Sequence, residues 1–371
     1  MSNIVDYVKW RGDLSFKVSP MNEIDNLIMA RISYLPFEKV KWKEKISFKE
    51  IVKQFLKLKV EQFHMPEDVE LIKAMIESNR FCDLEFSDMQ YELDAEEEKQ
   101  FFAITVWLPN GELFVSFRGT DATLVGWKED FNMSFMNDLP SQKEGVSYVE
   151  MIAMKYPFKK LRIGGHSKGG NVAVYSSIFC NPKVKKRIVE VTSADGPGFD
   201  RSIIETKEYK EILDRIHTYI PQSSIIGRLL EHEEEYHIVE SIQKGIMQHD
   251  IYSWQVEGPK IHSIAEVTSD SQMVNGVVRS WLKNTTPEQR KLFINIVFEV
   301  LNTTNATTTH ELSVGLVKNM GKVMDAYKDI NEDERKEMKE IFKVLIKSSF
   351  ETLKNELTDD KNKKKITWKK A

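Results

Sequence analysis

The stretch LRIGGHSKGGNVAVYSS, Leu161 to Ser177, sets one serine between two glycine pairs, Gly164-Gly165 and Gly169-Gly170. A short strand-like run, KKLRIGG, leads into it, and a helix-like run, GGNVAVYSSIFC, leads out. Gly165-His166-Ser167-Lys168-Gly169 fits G-x-S-x-G. In a nucleophile elbow that pattern makes a sharp strand-to-helix turn, crowded enough to need glycine on both sides. The turn holds the serine oxygen clear of the sheet and points the next amide N–H at a developing oxyanion. The pattern by itself occurs by chance, and its weight comes from the strand before it and the helix after. The alternative is a glycine-rich turn with an incidental serine.

Working outward, Phe101 to Pro109, the turn Asn110-Gly111 and ELFVSFRG read as a β-hairpin, since Asn-Gly is a strong short-range hairpin signal. KEGVSYVEMIAMKYP reads as a helix, KRIVEVTSADGPG as a strand and SIIETKEYKEILDRI as a helix. RIHTYIP and EYHIVES read as two further strands. Strands alternating with helices predict an α/β fold with a largely parallel sheet covered on both faces. Residues 1–95 read as mostly helical: NEIDNLIMARISYL carries an apolar stripe, Ser47 and Glu50 form a cap pattern, and Pro66 stands near a helix start. From Ala265 the pattern is helical again, with a capping box at Thr286-Pro287-Glu288-Gln289, a polar connector LNTTNATTTH, a split near Asn331 and a basic tail. The expected organisation is a helical region at 1–95, a core at 96–264 and a helical region at 265–371.

A serine nucleophile needs a base, and the base needs an orienting acid, in chain order Ser, acid, His for this elbow. Downstream stand His217, His232, His237, His249, His262 and His310. His217 and His237 lie inside strand patterns, His232 in an acidic run that reads as a solvated loop, and His310 in the helical C-terminal region. His249 follows the last apparent strand, where the base belongs, with His262 as the next candidate. For the acid, Asp195 ends the first strand after the elbow helix, in TSADGPGF. The alternative is a turn aspartate that caps backbone. Asp250 adjoins His249 in sequence and is poorly placed to orient its ring. For the oxyanion, the N–H of Thr120, after strand FVSF, pairs with that of Lys168. The Lys168 side chain either attracts an anionic substrate group or lies solvent-facing or ion-paired. Trp127 follows in a segment that would flank the pocket. Glu129 and Asp130 read as first-turn helix charges in preference to pocket carboxylates.

The 371 residues carry 53 basic and 57 acidic side chains, a net charge of −4 that gives no reason to expect nucleic-acid binding. Two cysteines, Cys82 and Cys180, suit neither a disulfide framework nor a cysteine metal site. There is no H-x-x-x-H pair and no phosphate loop, so no cofactor or metal is expected. An early charged N-terminus without an apolar core, and no run long enough to span a membrane, set the expectation of a cytoplasmic protein. The sequons at Asn284, Asn302 and Asn305 then have no glycosylation route. Arg11-Gly12-Asp13 reads as a turn with a local ion pair.

Together SFRGT at Ser116 to Thr120, Trp127 and GGHSKGG at Gly164 to Gly170 resemble the class 3 lipases of the α/β-hydrolase superfamily. WRGDLSF, SFRGTDATLVGWKEDFNMSF, GHSKGGNVAVY, ADGPGF, IPQSSIIGRLLEHEEEYHIVES and QHDIYSWQV more closely resemble a lipase-like family of Firmicutes carried as a domain of unknown function, over residues 5–315. The resemblance implies an α/β-hydrolase fold, Ser167 as nucleophile, Thr120 and Lys168 as oxyanion donors and His249 as base. It also implies an aspartate in the segment matching PQSSIIG, where Ser224 stands instead. Either Asp195 has taken that role or the triad is incomplete.

The reading is therefore a serine hydrolase acting on a small-molecule or lipid ester or thioester, with Ser167, His249 and Asp195 as triad. Its rival is a catalytically impaired hydrolase fold used for binding, supported by the serine at Ser224.

Overall fold

The computed structural model describes residues 2–121, 123–234, 236–265, 267, 276–277, 280–304, 307–308, 311, 325, 330–341 and 343–344. The chain divides into two compact units, Met1–Thr120 with Asp138–Val267, and Asp121–Asn137 with Thr268–Ala371.

In the first unit, eight strands form one sheet in sequence order. They are β1 (Lys45–Ser47), β2 (Glu85–Asp94), β3 (Lys99–Trp107), β4 (Leu113–Phe117), β5 (Leu161–His166), β6 (Ile188–Ala194), β7 (Ile216–Pro221) and β8 (Tyr236–Val239). β1 to β4 pair antiparallel, β4 to β8 parallel. Val256–Glu257 and Lys260–Ile261 add a two-stranded ribbon.

Helices cover both faces, and β3 shows why. Alternate side chains point to opposite sides of a sheet. Phe102, Ile104 and Val106 pack with α1 (Ile4–Arg11), α2 (Glu23–Ile32), α3 (Phe48–Phe55) and α4 (Glu67–Glu77). Phe101 and Ala103 pack on the other face. A strand buried on both faces reads as an unbroken apolar run, which FFAITVW is. That second face carries α6 (Pro140–Lys155) and α7 (Lys168–Phe179), whose Val149, Ile152, Val172 and Ile178 are buried there. This is the α/β-hydrolase fold. Ser47 caps α3 through the Glu50 N–H, as its sequence predicts.

Three sequence expectations change in this unit. The region 1–95 contains β1 and β2 as well as helices. SIIETKEYKEILDRI is not one helix but Arg201–Ile204, Lys207–Lys210 and a 3₁₀ turn at Leu213–Arg215. Asp200 caps the first piece, and Thr206 caps the second through the Tyr209 N–H, so a new helix starts before the first can extend. The Arg11-Gly12-Asp13 turn ends α1, with the Arg11 guanidinium over the Trp10 ring instead of in the expected ion pair.

In the second unit, α5 (Leu124–Asn132) and the helix Pro287–Asn302 place Leu124, Ile294 and Phe298 in a small core. Thr286 and Gln289 close the expected capping box. Glu129 is buried in the second half of its helix, so the first-turn reading does not hold for it. Trp127 is exposed on the same helix. The sequon Asn305, His310 and the basic tail lie outside the described residues.

Candidate active site

Ser167 stands between β5 and α7 with φ 59° and ψ −134°. Positive φ is costly for a side-chain-bearing residue and persists where surrounding structure imposes it. Here the Ser167 N–H donates to the Ala194 carbonyl at 2.8 Å, so the end of β6 fixes the height of the turn. The glycines are steric requirements: a Cβ at Gly165 would lie 2.3 Å from the Gly169 carbonyl oxygen, and one at Gly169 would lie 2.3 Å from that of Phe117. Ser167 also abuts the first residues of α7, whose N-terminal amides favour negative charge.

The next strand end supplies an acid. Asp195 follows β6 at φ 49° and is buried. Its Oδ2 lies 2.6 Å from His249 Nδ1. Its Oδ1 accepts from Ser224 Oγ at 2.5 Å and from Gly227 N at 3.0 Å. Ser224, at the place where the lipase resemblance asks for aspartate, thus donates to the aspartate carried one strand earlier. Asp250 caps the Tyr252 N–H at 3.0 Å.

His166 ties the elbow to the His249 loop. Its ring lies 4.4 Å from that of His249, centroid to centroid, and its Nε2 is 2.7 Å from the His249 carbonyl. A carbonyl only accepts, so Nε2 carries the proton. Burial, with His249 and Arg31 nearby, pushes the His166 pKa well below the usual histidine range, which keeps the ring neutral. Tyr34, just after α2, brings its hydroxyl within 3.2 Å of both His166 Nδ1 and the His166 carbonyl, and accepts from Gly119 N at 3.1 Å.

Gly119 lies against Ser167: a Cβ there would stand 2.9 Å from Ser167 Cβ. The loop bearing Thr120 therefore passes beside the elbow. It is anchored by Arg118, which donates to the Ser33 and Leu35 carbonyls at 2.7 and 2.9 Å. The Lys168 side chain is not solvent-facing. It is 1% exposed, and its Nζ donates to the Gln100 backbone carbonyl at 2.8 Å and to Gln100 Oε1 at 2.9 Å. Gln100 lies on β3, so the ammonium is held inside the fold, neither solvent-facing nor offered to a substrate.

The remaining histidines separate by environment. His217 and His237 lie on β7 and β8. His262 is exposed beside Glu240 and Glu257. His232 is not in a solvated loop: its side chain is 8% exposed, with Nδ1 2.9 Å from Glu234 Oε1 and Nε2 2.8 Å from the Gly227 carbonyl. Sequence reasoning passed over Tyr34, Gly227 and the buried Glu234. Arg118 left a signal, as a charged residue directly after an apolar strand. Among the described residues no group of three or more His, Cys, Asp or Glu is placed to hold a metal, and no helix is long and apolar enough to cross a membrane.

Several solved lipases are similar in structure. Lipase II from Rhizopus niveus is 13% identical, with 68% of this chain and 83% of that chain covered, at a TM-score of 0.36. M37 lipase is 12% identical, with 66% and 84% covered, at 0.37. Rhizomucor miehei lipase in complex with its propeptide is 16% identical at 0.33, with 42% of this chain covered, and the chain spans 57% of that lipase's length. No curated protein matches. The Mbeg1-like family model matches residues 75–299, more than half of the sequence and all of β3 to β8, and the chain belongs to that family.

Proposed function

We propose that the protein is a serine hydrolase that cleaves a carboxylic ester or thioester through an acyl-enzyme on Ser167. The observation that carries this reading is the 2.6 Å contact between His249 Nδ1 and the buried Asp195 carboxylate, one strand end from a serine held at positive φ. Ser167 Oγ attacks the acyl carbon while His249 Nε2 takes its proton. Asp195 stays ionised, fixes the tautomer and stabilises the imidazolium. The N–H groups of Thr120 and Lys168 hold the oxyanion. The carbonyl re-forms, the bond to the leaving oxygen or sulfur breaks, and His249 returns the proton to it. Water then attacks the acyl-enzyme and gives a proton to His249, which passes it to Ser167 Oγ as the acyl–oxygen bond breaks and the carboxylic acid leaves. No protein group other than backbone amides needs to supply charge to the oxyanion, which suits a Lys168 side chain held elsewhere.

The binding-protein rival drew its support from the serine at Ser224. That support weakens with Asp195 against His249 and the Ser224 hydroxyl donating to Asp195. Intact-protein mass after treatment with a fluorophosphonate tests the reading. One adduct is expected on the wild type and none on Ser167→Ala. A wild type that takes no adduct while a control hydrolase is labelled overturns it.

A further inference from the structure

We infer that Ser224, Gly227 and the buried His232–Glu234 pair form a positioning assembly that holds the Asp195 carboxylate toward His249. The inference rests on the catalytic reading proposed above. A carboxylate bonded through one oxygen can still turn about its last side-chain torsion, which is broad for aspartate. Asp195 is pinned at both. Oδ2 meets His249, and Oδ1 takes the Ser224 hydroxyl at 2.5 Å and the Gly227 amide at 3.0 Å. Hydrogen bonds to an ionised group are short and about twice as strong as neutral ones, so both donors hold the carboxylate in plane.

Gly227 is shaped for this place. A Cβ there would lie 2.2 Å from Asp195 Oδ1 and 2.7 Å from Ile220 Cγ2, so any larger residue displaces the acid or the strand beneath it. Its amide also reaches Ser224 Oγ at 3.0 Å, which orients the hydroxyl proton away from Gly227 and toward Asp195. The Gly227 peptide is held from its other side. Its carbonyl lies 2.8 Å from His232 Nε2, and His232 Nδ1 lies 2.9 Å from Glu234 Oε1. Glu234 accepts from Thr218 Oγ1 at 2.7 Å and from the Tyr209 hydroxyl. Thr218 belongs to β7, so a continuous chain of hydrogen bonds runs from the middle of that strand through Glu234, His232 and Gly227 to the acid at the end of β6. These are positioning residues: they reach the reaction through Asp195.

The test uses the full chain and two readouts. One is the low-field proton resonance of the His249 Nδ1–H, assigned by its loss in His249→Ala. The other is the fluorophosphonate labelling rate. Ser224→Ala is expected to move the resonance upfield and slow labelling about tenfold, the rate equivalent of one charge-assisted hydrogen bond. Ser224→Thr, which keeps the hydroxyl, is expected to restore both, and His232→Gln to shift both in the direction of Ser224→Ala by less. Should Ser224→Ala not fold, Ser224→Cys places a weaker donor at the same point and serves the same comparison. Wild-type resonance and rate in Ser224→Ala (or in Ser224→Cys where it substitutes) and in His232→Gln overturn the positioning assembly and leave the triad standing. If Asp195→Asn itself labels at the wild-type rate, the acid's role fails and the assembly fails with it.

Discussion

Two histidine–carboxylate pairs in the first unit have the same chemistry and different surroundings. His249 meets Asp195 at 2.6 Å and His232 meets Glu234 at 2.9 Å, each through Nδ1. They part at the second nitrogen. His232 Nε2 is committed to the Gly227 carbonyl and the side chain is 8% exposed. His249 is 26% exposed, and among the described residues no hydrogen bond engages its Nε2. A buried pair with both nitrogens engaged is a structural tie, whereas a pair whose second nitrogen is uncommitted can move a proton. The pair alone does not mark a catalytic site. In the proposed reading, the uncommitted nitrogen does.

The largest effect should come from breaking the open pair. Asp195→Asn removes the charge that stabilises the imidazolium and favours the wrong tautomer, with an expected loss in labelling rate of roughly 10⁴-fold at little cost to folding. Rates for purified wild type and variant, with thermal melts alongside, check it. A loss below about tenfold would place His249 and Asp195 on the same footing as the closed pair.

Breaking the closed pair should reverse the pattern. Glu234→Gln leaves a buried imidazole facing a neutral amide, and an expected stability loss of about 3 kcal/mol, read by urea unfolding, exceeds its effect on labelling. The acid limb sharpens this. Burial pushes the Glu234 carboxyl up, but the hydrogen bond and charge of His232, with the Tyr209 and Thr218 hydroxyls, outweigh burial and hold it at about 2. In the unfolded chain its pKa is about 4.3. Between those values the unfolded state binds the extra proton, so this contribution is complete above the upper value and is lost as pH falls toward the lower one. Glu234→Gln should flatten the wild-type decline in stability across that window. An unchanged decline would separate Glu234 from the acid response.

The elbow was legible because everything that specifies it is local: two glycine pairs, a serine, a strand before and a helix after. The hairpin from Phe101 was legible for the same reason. β2 was not, although Met89, Tyr91 and Leu93 alternate, because Asp88 at φ 54° and a register shift between Ser87 and Gln90 interrupt the period. Asp195 and His249 stand 54 residues apart, and their pairing could be argued only from the order of elements. The Lys168 side chain could not be placed, because its partner Gln100 is 68 residues away on another strand. His232 sits in EHEEEYH and reads as solvated. What buries it is Gly227, Tyr209 and Thr218, brought together only by the packing around β7.

The smallest effect belongs to a third histidine, and it tests the rule from the other side. His262 lies 3.4 Å from Glu240 and 3.2 Å from Glu257, with its side chain 42% exposed. It has acidic neighbours on both nitrogens but neither the burial of His232 nor the buried aspartate of His249. Exposed pairs contribute little because water screens the charges and long side chains lose freedom when they meet. His262→Ala should therefore change unfolding free energy by no more than about 0.5 kcal/mol and leave labelling at the wild-type rate. Urea unfolding and labelling on one preparation check both. A strong loss of labelling would make His262 the base after all and leave His249 as a second structural tie. Proximity to Asp195 would then be insufficient to identify a catalytic histidine in this fold.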